Sequence, residues 1–600
     1  MINYTAPVRD MRFLFNELLN GQQIQKLKGY EDFTPEVIDA ILEEGAKFTK
    51  EVLLPLNLSG DKEGCILENG VVRTPNGFKE AYDKFVEAGW TSLASSPEYG
   101  GQGAPAALYF LLQEMICSTN MAFSTYPGLT EGAYNAIKLH GSESQKNLYL
   151  PNFTNGNWSG TMCLTEPQCG TDLGLIKTKA EPRQNDSYKI SGTKIFITAG
   201  EHDLTENIVH LVLGRLPDAP KGIKGISLFL VPKFIPTKDG RPGERNSLAC
   251  GSIESKMGIK GSATCVMNFD NAIGWLVGKP NNGMKAMFTM MNSARLGVGI
   301  QGIGLAEVSY QNALAYAQDR LQGRALSGSK SPEKVADSIL VHPDVRKNLL
   351  TVKSLTEGMR AISLWTALNL DIAEKSDNLE DKKNADDLVQ LMTPIVKAFC
   401  TDKGFNATNT SLQIFGGHGY IHEYGMEQFV RDARITQIYE GTNGVQALDL
   451  VGRKMPTDYG RYLRSFFHPV EEFIQKNSAN KKLEFYILGL AKAFGRLQQA
   501  TAIIAQKGLS NRDEVGSTAS EYLNLFGYVA IAYMWAKTSK VCIEMLENDE
   551  TGFYRAKLKT AKFYFDKILP ETGSLFSIIM AGGESIMSFS EDEFEFYSSA

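Results

Sequence analysis

The stretch Arg431-Asp-Ala-Arg-Ile-Thr-Gln-Ile-Tyr-Glu440-Gly-Thr-Asn-Gly-Val-Gln446 decides how the rest of the chain is interpreted. Its pattern predicts an apolar-faced segment that breaks at Glu440-Gly441 and then continues as a helix. Thr442 is placed to cap that helix, because its hydroxyl can accept hydrogen bonds from backbone N–H groups of the next turn. Glutamate is common at helix starts, where the dipole favours negative charge. On its own the stretch therefore indicates either a structural carboxylate or one presented beside two flexible glycines, Gly441 and Gly444.

The composition is that of a globular protein with several domains. The chain has 600 residues, of which 43% are hydrophobic and 22% charged, and this length exceeds what a single core supports. The formal net charge of −6 argues against nucleic acid as a partner, because proteins that bind it present basic surfaces. No apolar run reaches the roughly 18 residues of a transmembrane segment, and no secretory signal pattern is present. We therefore expect a cytoplasmic protein.

The cysteines and histidines give no pattern of a metal site or a disulfide framework. Eight cysteines are scattered without a Cys-x-x-Cys pair, which favours buried reduced thiols. His418 and His422 are four residues apart, but no third metal ligand is nearby. The sequence predicts no bound metal.

The hydrophobic periodicity changes along the chain and predicts an α+β fold that is mainly α. Helical spacing dominates the first 155 residues, short β-branched runs punctuated by Gly, Pro, Asn and Asp follow, and long helical segments then return. The short runs predict a small antiparallel β domain, and segments near 284–321, 342–376, 386–415 and 436–454 predict a four-helix bundle. Loops are expected at 323–334 and 375–386. The predicted domains are an N-terminal extension (1–37), an N-terminal helical domain (38–158), a middle β domain (159–275), the bundle (282–453) and a C-terminal helical domain (460–597).

One motif suggests a nicotinamide cofactor but lacks the necessary context. Gly297-Val-Gly-Ile-Gln-Gly302 satisfies G-x-G-x-x-G, which is meaningful only between a strand and a helix. Here it follows a Met-rich helical run. Small residues in this segment are better explained by helices that approach each other closely.

Three other stretches are suited to holding an aromatic cofactor. Met162-Cys-Leu-Thr-Glu-Pro-Gln-Cys-Gly-Thr-Asp172 leaves a predicted strand and turns at Pro167, so its backbone N–H groups could bind a heterocycle or a phosphate. Lys194-Ile-Phe-Ile-Thr198 places an aromatic ring and a hydroxyl on one strand face. Gln413-Ile-Phe-Gly-Gly417 ends a helix in a glycine turn, which a plain C-terminal cap would also explain. Each stretch alone is equally compatible with a structural role.

Together and in this order, these stretches resemble the acyl-CoA dehydrogenase family. The resemblance covers about residues 40–455 and rests on five motifs: Thr165-Glu-Pro167, Lys194-Ile-Phe-Ile-Thr198, Lys256-Met-Gly-Ile-Lys-Gly-Ser262, Gln413-Ile-Phe-Gly-Gly417 and Gln437-Ile-Tyr-Glu-Gly-Thr442. The extra helical region after residue 455 is similar to that of larger bacterial members, among them the 3-methylmercaptopropionyl-CoA dehydrogenases.

The resemblance implies an FAD-dependent oxidoreductase of lipid metabolism and fatty acid β-oxidation that converts an acyl-CoA to a 2,3-enoyl-CoA. Glu440 then corresponds to the base that removes the α-proton while the β-hydrogen leaves as hydride to flavin N5. Some members carry the base one residue before the arginine that matches Arg295. That residue here is Ala294, which cannot accept a proton, so Glu440 is the expected catalytic residue.

The resemblance also assigns residues to the cofactor and the substrate. The implied FAD contacts are Met162, Leu164, Thr165, Gly170, Thr171, Phe196, Ile197, Thr198, Arg320, Gln413, Gly416, Gly417, Thr442 and Asn443. The implied substrate contacts are Thr171, Asn292, Arg295 and Gly441. Arg320 and the 413–417 turn match groups that reach the FAD of a neighbouring subunit, so a homodimer or a dimer of dimers is expected.

The sequence departs from the family pattern at Phe196, where Trp is common, at Asn292, where an acidic residue is frequent, and at Gly444, where a polar residue is usual. The expected electron acceptor is an electron-transferring flavoprotein, and acyl chain length stays open. Two alternatives also stay open: an acyl-CoA oxidase of the same fold, and a catalytically silent acyl-CoA-binding or assembly protein.

Overall fold

A computed structural model describes residues 2–595; Met1 of the predicted N-terminal extension and residues 596–597 of the predicted C-terminal helical domain lie outside the described residues. The described chain forms two compact units. The first contains residues 4–6 and 40–297, and the second contains residues 2–3, 7–39 and 298–595. No helix among residues 2–595 is long and apolar enough to cross a membrane.

The chain begins with short helical elements and a hairpin. Helix α1 (Val8–Arg12) continues as a π-helical turn (Phe13–Leu18), and a 3₁₀ segment (Gly21–Lys26) precedes helix α2 (Pro35–Phe48). The next helices are α3 (Pro55–Glu63), α4 (Phe78–Glu87), α5 (Ala106–Thr119), α6 (Met121–His140) and α7 (Glu143–Thr154). Between α3 and α4 lies a hairpin of strands β1 (Ile66–Glu68) and β2 (Val71–Arg73), which the periodicity did not predict.

The β domain follows in the same unit. Its strands are β3 (Trp158–Cys163), β4 (Lys179–Pro182), β5 (Ser187–Thr198), β6 (Asn207–Arg215), β7 (Ile226–Pro232), β8 (Phe234–Pro236), β9 (Pro242–Arg245), β10 (Leu248–Ile253) and β11 (Thr264–Val277). Strand β11 pairs with both β5 and β7, β4 joins β5 to β6, and β6 pairs with β7. The hydrogen bonding therefore closes on itself as in a small barrel.

The two faces of this sheet belong to two hydrophobic cores. On β6 the side chains of Val209, Leu211 and Leu213 pack in a cluster with residues of α6, α7 and the start of helix α8 (Gly283–Asp319). Val212, between them, packs on the opposite face with Ile190 and Ile197 of β5 and with side chains of β7, β10 and β11. This alternation is the period-two pattern expected of a strand buried on both faces.

The second unit is helical. Its long helices are the C-terminal part of α8, α9 (Pro343–Lys375) and α10 (Leu379–Ile414), followed by α11 (Met426–Arg434) and α12 (Asn443–Asp449). The remaining helices are α13 (Arg461–Asn477), α14 (Glu484–Gly508), α15 (Arg512–Ser517), α16 (Ala519–Met545), α17 (Phe553–Phe563), α18 (Glu571–Ala581) and α19 (Glu584–Met587).

Helices α8 and α10 touch through their backbones. A Cβ atom on Gly302 would lie 2.5 Å from the carbonyl oxygen of Cys400, and one on Gly404 would lie 2.5 Å from the carbonyl oxygen of Gly302. These distances leave no room for any side chain at either position. The motif at 297–302 lies inside α8 with no strand before it. Helix packing is confirmed for Gly299 and Gly302, whereas a Cβ on Gly297 would meet no atom within 4 Å.

A buried ion network joins four segments of this unit. Arg360 of α9 donates to Asp10 of α1 and to Glu307 of α8, each at 2.6 Å. Lys557 of α17 contacts Asp10 as well and lies 2.7 Å from Glu357 of α9. The extreme N-terminal segment and a C-terminal helix are thereby tied to the long helices through charges that pair one another, as buried charges require.

Three sequence expectations need correction. The predicted helix 436–454 is α-helical only over Asn443–Asp449, because residues 438–442 break the backbone and Leu450–Lys454 forms a π-helical turn. The predicted loop 375–386 ends at Asn378, whose side chain caps α10 by accepting from the N–H groups of Glu380 and Asp381. The β domain is confirmed, but β3 pairs with β6 in parallel, so the sheet is mixed rather than wholly antiparallel. The domain boundaries stay predictions.

A buried ion pair in the β domain fixes the loop that follows β3. The carboxylate of Glu166 lies 2.9 Å from the ammonium of Lys194 on β5 and accepts further bonds from the backbone N–H and the hydroxyl of Thr178. Burial raises the pKa of Glu166, but Lys194 and these donors outweigh burial and hold the pKa at about 2. Burial lowers the pKa of Lys194, and Glu166 opposes that shift.

We predict that Gly302→Ala destabilises the protein by about 1–3 kcal/mol, because the added methyl group overlaps the α10 backbone. The measurement is the midpoint of thermal unfolding. Gly297→Ala is the matched control, since a Cβ there meets no atom within 4 Å and alanine is the better helix former. An equal effect of the two substitutions would contradict the close helix crossing.

We predict that Glu166→Gln destabilises the protein at neutral pH by about 3–5 kcal/mol, because Lys194 is left buried without its counter-charge. The folded pKa of about 2 is below the unfolded value of about 4.3. The stabilisation is therefore complete above about pH 4.3 and is lost as the pH falls toward 2. Urea unfolding at pH 7 and pH 3 should show a gap from the unaltered protein that narrows at pH 3. Exposed Glu181→Gln should show no gap at either pH.

Candidate active site

The backbone at Glu440 and Gly441 is left-handed at two consecutive residues. Their φ angles are +57° and +83°, and the first value is uncommon for a residue with a side chain. Helix α11 and a 3₁₀ turn (Ile435–Gln437) end just before this break, and α12 begins just after it. Thr442 caps α12 by accepting from the N–H of Val445 at 3.3 Å, which confirms the predicted cap.

Side chains of helix α10 form hydrogen bonds with the residues at this break. The ammonium of Lys397, a fully buried side chain, donates to the carbonyl oxygen of Gly441 at 2.8 Å and to Oδ1 of Asn443 at 2.9 Å. The amide nitrogen of Asn443 in turn donates to Thr401 Oγ1 at 2.9 Å and to Asp402 Oδ1 at 2.7 Å. The side chain of Asn443 thus bonds to α10, while its predicted cofactor contact stays a prediction.

Gln446 of α12 also forms hydrogen bonds with the residues at the break. Its amide nitrogen donates to the carbonyl oxygens of Glu440 and Gly441 at 3.1 and 3.5 Å. Gln446 is fully buried, and its Oε1 has no hydrogen-bond partner in the described part of the chain. Such an unsatisfied acceptor carries a desolvation penalty.

The residues just before Glu440 are also anchored. The hydroxyl of Tyr439 donates to Oε1 of Gln301 on α8, and the amide of Gln437 donates to Asp402 of α10 at 2.7 Å. The partly exposed Glu440 is therefore presented by a backbone that both long helices constrain.

In the first unit, the loop after β3 lies against β5. Lys194 donates to the carbonyl oxygen of Leu164 at 2.9 Å, and the backbone N–H of Ile195 donates to the carbonyl oxygen of Thr165 at 2.9 Å. These bonds bring the predicted residues Leu164 and Thr165 to the end of β5 that carries Phe196. Gly170 and Thr171 are exposed farther along the loop, while Met162 is part-buried on β3.

Phe196 is presented to solvent by an irregularity in β5. Its φ is +59°, the pairing register with β11 shifts between residues 194 and 197, and its side chain is 59% exposed. Neighbouring Ile197 packs in the sheet core, so a cofactor contact from this residue would come from its backbone. Thr198 is part-buried at the strand end.

The predicted residues near the ends of α8 and α10 lie at one end of the second unit. Tyr316 of α8 stacks on Phe415 at 4.2 Å between ring centroids and hydrogen-bonds His418 at 2.8 Å. Arg320, one turn after Tyr316, and Gln413, Gly416 and Gly417 are exposed there. His418 also stacks on Tyr424, whereas His422 pairs with Glu427 at 2.7 Å.

The predicted substrate residues Asn292 and Arg295 lie one turn apart on α8. Nη1 of Arg295 lies 3.5 Å from Oδ1 of Asn292, and the Arg295 side chain is buried. These two residues belong to the first unit, and Gly441 belongs to the second.

Sequence reasoning missed Lys397, Gln446 and the Glu166–Lys194 pair. A usable signal for Lys397 was a single lysine within the apolar run Pro394-Ile-Val-Lys-Ala-Phe-Cys400, because a charge on the buried face of a helix needs a specific partner. No comparable signal marks Gln446.

The residues present suit FAD. Phe196 provides an exposed apolar wall beside a loop rich in backbone polar groups. At Gly416 and Gly417 an added Cβ would meet no atom within 4 Å, so a ligand can approach the backbone there. Both features match what an isoalloxazine ring and a pyrophosphate need from a protein.

Family models match nearly the whole chain. Models described as acyl-CoA dehydrogenase N-terminal domain, middle domain and C-terminal domain match residues 37–157, 161–272 and 281–455. A fourth model, described as acetyl-CoA dehydrogenase C-terminal like, matches residues 466–590. The region after 455 is therefore a recognised module of this family.

Two relatives match this chain over nearly the full length of both proteins. The chain is 42% identical to a 3-methylmercaptopropionyl-CoA dehydrogenase of Ruegeria pomeroyi, covering 98% of this chain and 100% of that protein. It is 34% identical to the broad-specificity linear acyl-CoA dehydrogenase FadE5 of Mycobacterium tuberculosis, covering 99% and 100%.

Solved structures share the fold. An acyl-CoA dehydrogenase of Bacillus anthracis complexed with FAD matches with a TM-score of 0.75 and 20% identity, covering 93% of this chain and 90% of that chain. Butyryl-CoA dehydrogenase of Megasphaera elsdenii matches with a TM-score of 0.57 and 26% identity, covering 70% and 98%. The chain belongs to the acyl-CoA dehydrogenase family and is an FAD-dependent oxidoreductase that acts on a CH–CH group.

Proposed function

We propose that Glu440 is the base that removes the α-proton of an acyl-CoA thioester, so that the product is a 2,3-enoyl-CoA. The observation that carries this proposal is the left-handed pair Glu440–Gly441 anchored by three helices. Backbone strain of this kind costs of order 1–3 kcal/mol per residue and concentrates at functional sites.

Two groups of Glu440 have separate proposed roles in removal of the α-proton. The Glu440 carboxylate accepts it, and burial against bound acyl chain would raise the affinity of the carboxylate for it. The backbone N–H of Glu440 is the proposed donor to the thioester oxygen, where negative charge develops as the α-proton leaves. The chemistry that FAD supplies when bound is acceptance of the β-hydrogen as a hydride.

The remaining predicted residues keep their proposed roles in binding. The loop of Leu164 to Thr171 and the β5 residues Phe196 to Thr198 are proposed to hold the flavin. Arg320, Gln413, Gly416 and Gly417 are proposed to reach the cofactor of a second subunit, since all four are exposed at one end of the helical unit. Asn292, Arg295 and Thr171 are the proposed substrate contacts.

The proposal extends to the acyl group of the substrate and to the protein that accepts the electrons. Identity of 42% over the full length with a 3-methylmercaptopropionyl-CoA dehydrogenase supports a short, methylthio-substituted acyl-CoA as the preferred substrate. Similarity to a chain in the structure of the electron-transferring flavoprotein of Acidaminococcus fermentans, with a TM-score of 0.58, 27% identity and coverage of 71% of this chain and 99% of that chain, supports an electron-transferring flavoprotein as acceptor. A place in fatty acid β-oxidation and a cytoplasmic location belong to the same proposal.

We predict that Glu440→Gln keeps bound FAD but slows flavin reduction by roughly 10²- to 10⁴-fold, the usual contribution of a general base. The measurement is anaerobic bleaching of the flavin after mixing with acyl-CoA. Exposed Glu380→Gln on α10 is the control and should bleach normally. Normal bleaching by Glu440→Gln would refute its role as base.

We predict that 3-methylmercaptopropionyl-CoA bleaches the flavin faster than butyryl-CoA, branched and long-chain acyl-CoAs of the same concentration. A faster reaction with a longer linear chain would instead favour a broad linear specificity. Air admitted after bleaching tests the acceptor, because slow reoxidation is expected of a dehydrogenase and rapid reoxidation of an oxidase. Absence of bleaching with every thioester would favour a silent binding protein.

A further inference from the structure

The carbonyl groups of Glu440 and Gly441 both accept hydrogen bonds from buried side chains. Lys397 of α10 donates to the Gly441 carbonyl at 2.8 Å, and Gln446 of α12 donates to the Glu440 carbonyl at 3.1 Å. Both carbonyl groups of the left-handed pair are thus held by long side chains from neighbouring helices. Neither donor is exposed.

Lys397 is costly as a purely structural residue. Its side chain is fully buried on a long helix, and its ammonium donates to the Gly441 carbonyl and to Oδ1 of Asn443. An apolar residue of similar size would fill this space without the desolvation of a charge. The position of the charge matters, because its two partners lie on either side of Thr442, directly after Glu440.

Gln446 is also a buried polar residue whose side chain bonds to the break. Its amide nitrogen serves the two carbonyls of the break, while its buried Oε1 makes no hydrogen bond among residues 2–595. Helix stability does not require this amide. Buried polar groups with unsatisfied atoms are rare in folded proteins and are expected where function requires them.

We infer that Lys397 and Gln446 are positioning residues, which hold Glu440 and Gly441 in the left-handed conformation. This conformation would direct the Glu440 carboxylate toward the α-carbon of the substrate. This inference rests on the proposed role of Glu440. It adds two residues that would act on the reaction through the backbone of the base, without touching substrate or cofactor.

The test compares three near-isosteric variants of the full-length, FAD-loaded enzyme: Lys397→Met, Gln446→Met and, as control, Lys403→Met. Lys403 is also a lysine of α10, but its ammonium lies 4.7 Å from the ring centroid of Tyr528 on α16. The probe is the panel thioester that bleaches the unaltered enzyme fastest, used with and without deuterium at the α-carbon. FAD content, affinity for the enoyl-CoA product and the thermal unfolding midpoint are measured in parallel.

Lys397→Met and Gln446→Met are each expected to slow flavin reduction at saturating substrate by about 100-fold, the effect of a small misplacement of a reacting group. The α-deuterium isotope effect should rise, while FAD content and product affinity stay unchanged. The unfolding midpoint of Gln446→Met should change little, because removal of the unsatisfied Oε1 offsets the lost bond to the Glu440 carbonyl. Lys403→Met should keep the normal rate.

Normal reduction rates in both variants at saturating substrate would overturn the inference while leaving the role of Glu440 intact, provided that Glu440→Gln is inactive. Loss of FAD or of stability in proportion to the lost rate would also overturn it, because that pattern indicates a structural role. If Lys397→Met does not fold, Gln446→Met alone decides by the same criteria. Normal turnover of Glu440→Gln would refute the proposed function and this inference together.

Discussion

The backbone contact between α8 and α10 at Gly302 and Gly404 is the constraint on which the helical unit depends. Because neither glycine has room for a Cβ atom, the two helices have one possible closest approach and one register. Gln301, beside Gly302, then meets Tyr439, while Thr401 and Asp402, close to Gly404, meet the residues that flank the break. A crossing made through larger side chains would separate the helices and move these polar groups away from the 437–446 segment.

The ion network around Arg360 explains how the terminal segments become part of the same unit. An N-terminal segment and a C-terminal helix could each pack through apolar contacts alone, but such contacts tolerate sliding. Paired charges tolerate it far less, because a displaced partner leaves a buried charge unsatisfied. Asp10 and Lys557 therefore fix where α1 and α17 attach to α8 and α9. The added helices thus support the helices from which the candidate site is built.

Local sequence patterns predicted the elements whose ends are locally encoded. The expected helix 342–376 corresponds to Pro343–Lys375, because a proline in the first turn marks its start. The break at Glu440-Gly441 was predicted from the local pattern, but the helix bounds 436–454 were wrong, because the α-helix covers only Asn443–Asp449 and then becomes a π-helical turn. The parallel direction of β3 and β6 was missed, since alternation identifies a strand but not its partner. At the site, the carboxylate was predicted from its motif and Thr442 from its capping chemistry. Lys397 and Gln446 were not, because their function lies in the direction of their side chains.

Three features that each cost stability lie close together around Glu440. A non-glycine residue is left-handed, a lysine is fully buried, and a buried amide oxygen makes no hydrogen bond within the described chain. Each feature lowers stability, and all three involve the two consecutive residues Glu440 and Gly441. Backbone strain and unsatisfied polar atoms that meet at one segment are typical of functional sites. The clustering of these costs therefore supports a catalytic role for Glu440 independently of sequence resemblance, because it depends only on the energetics of this one backbone segment.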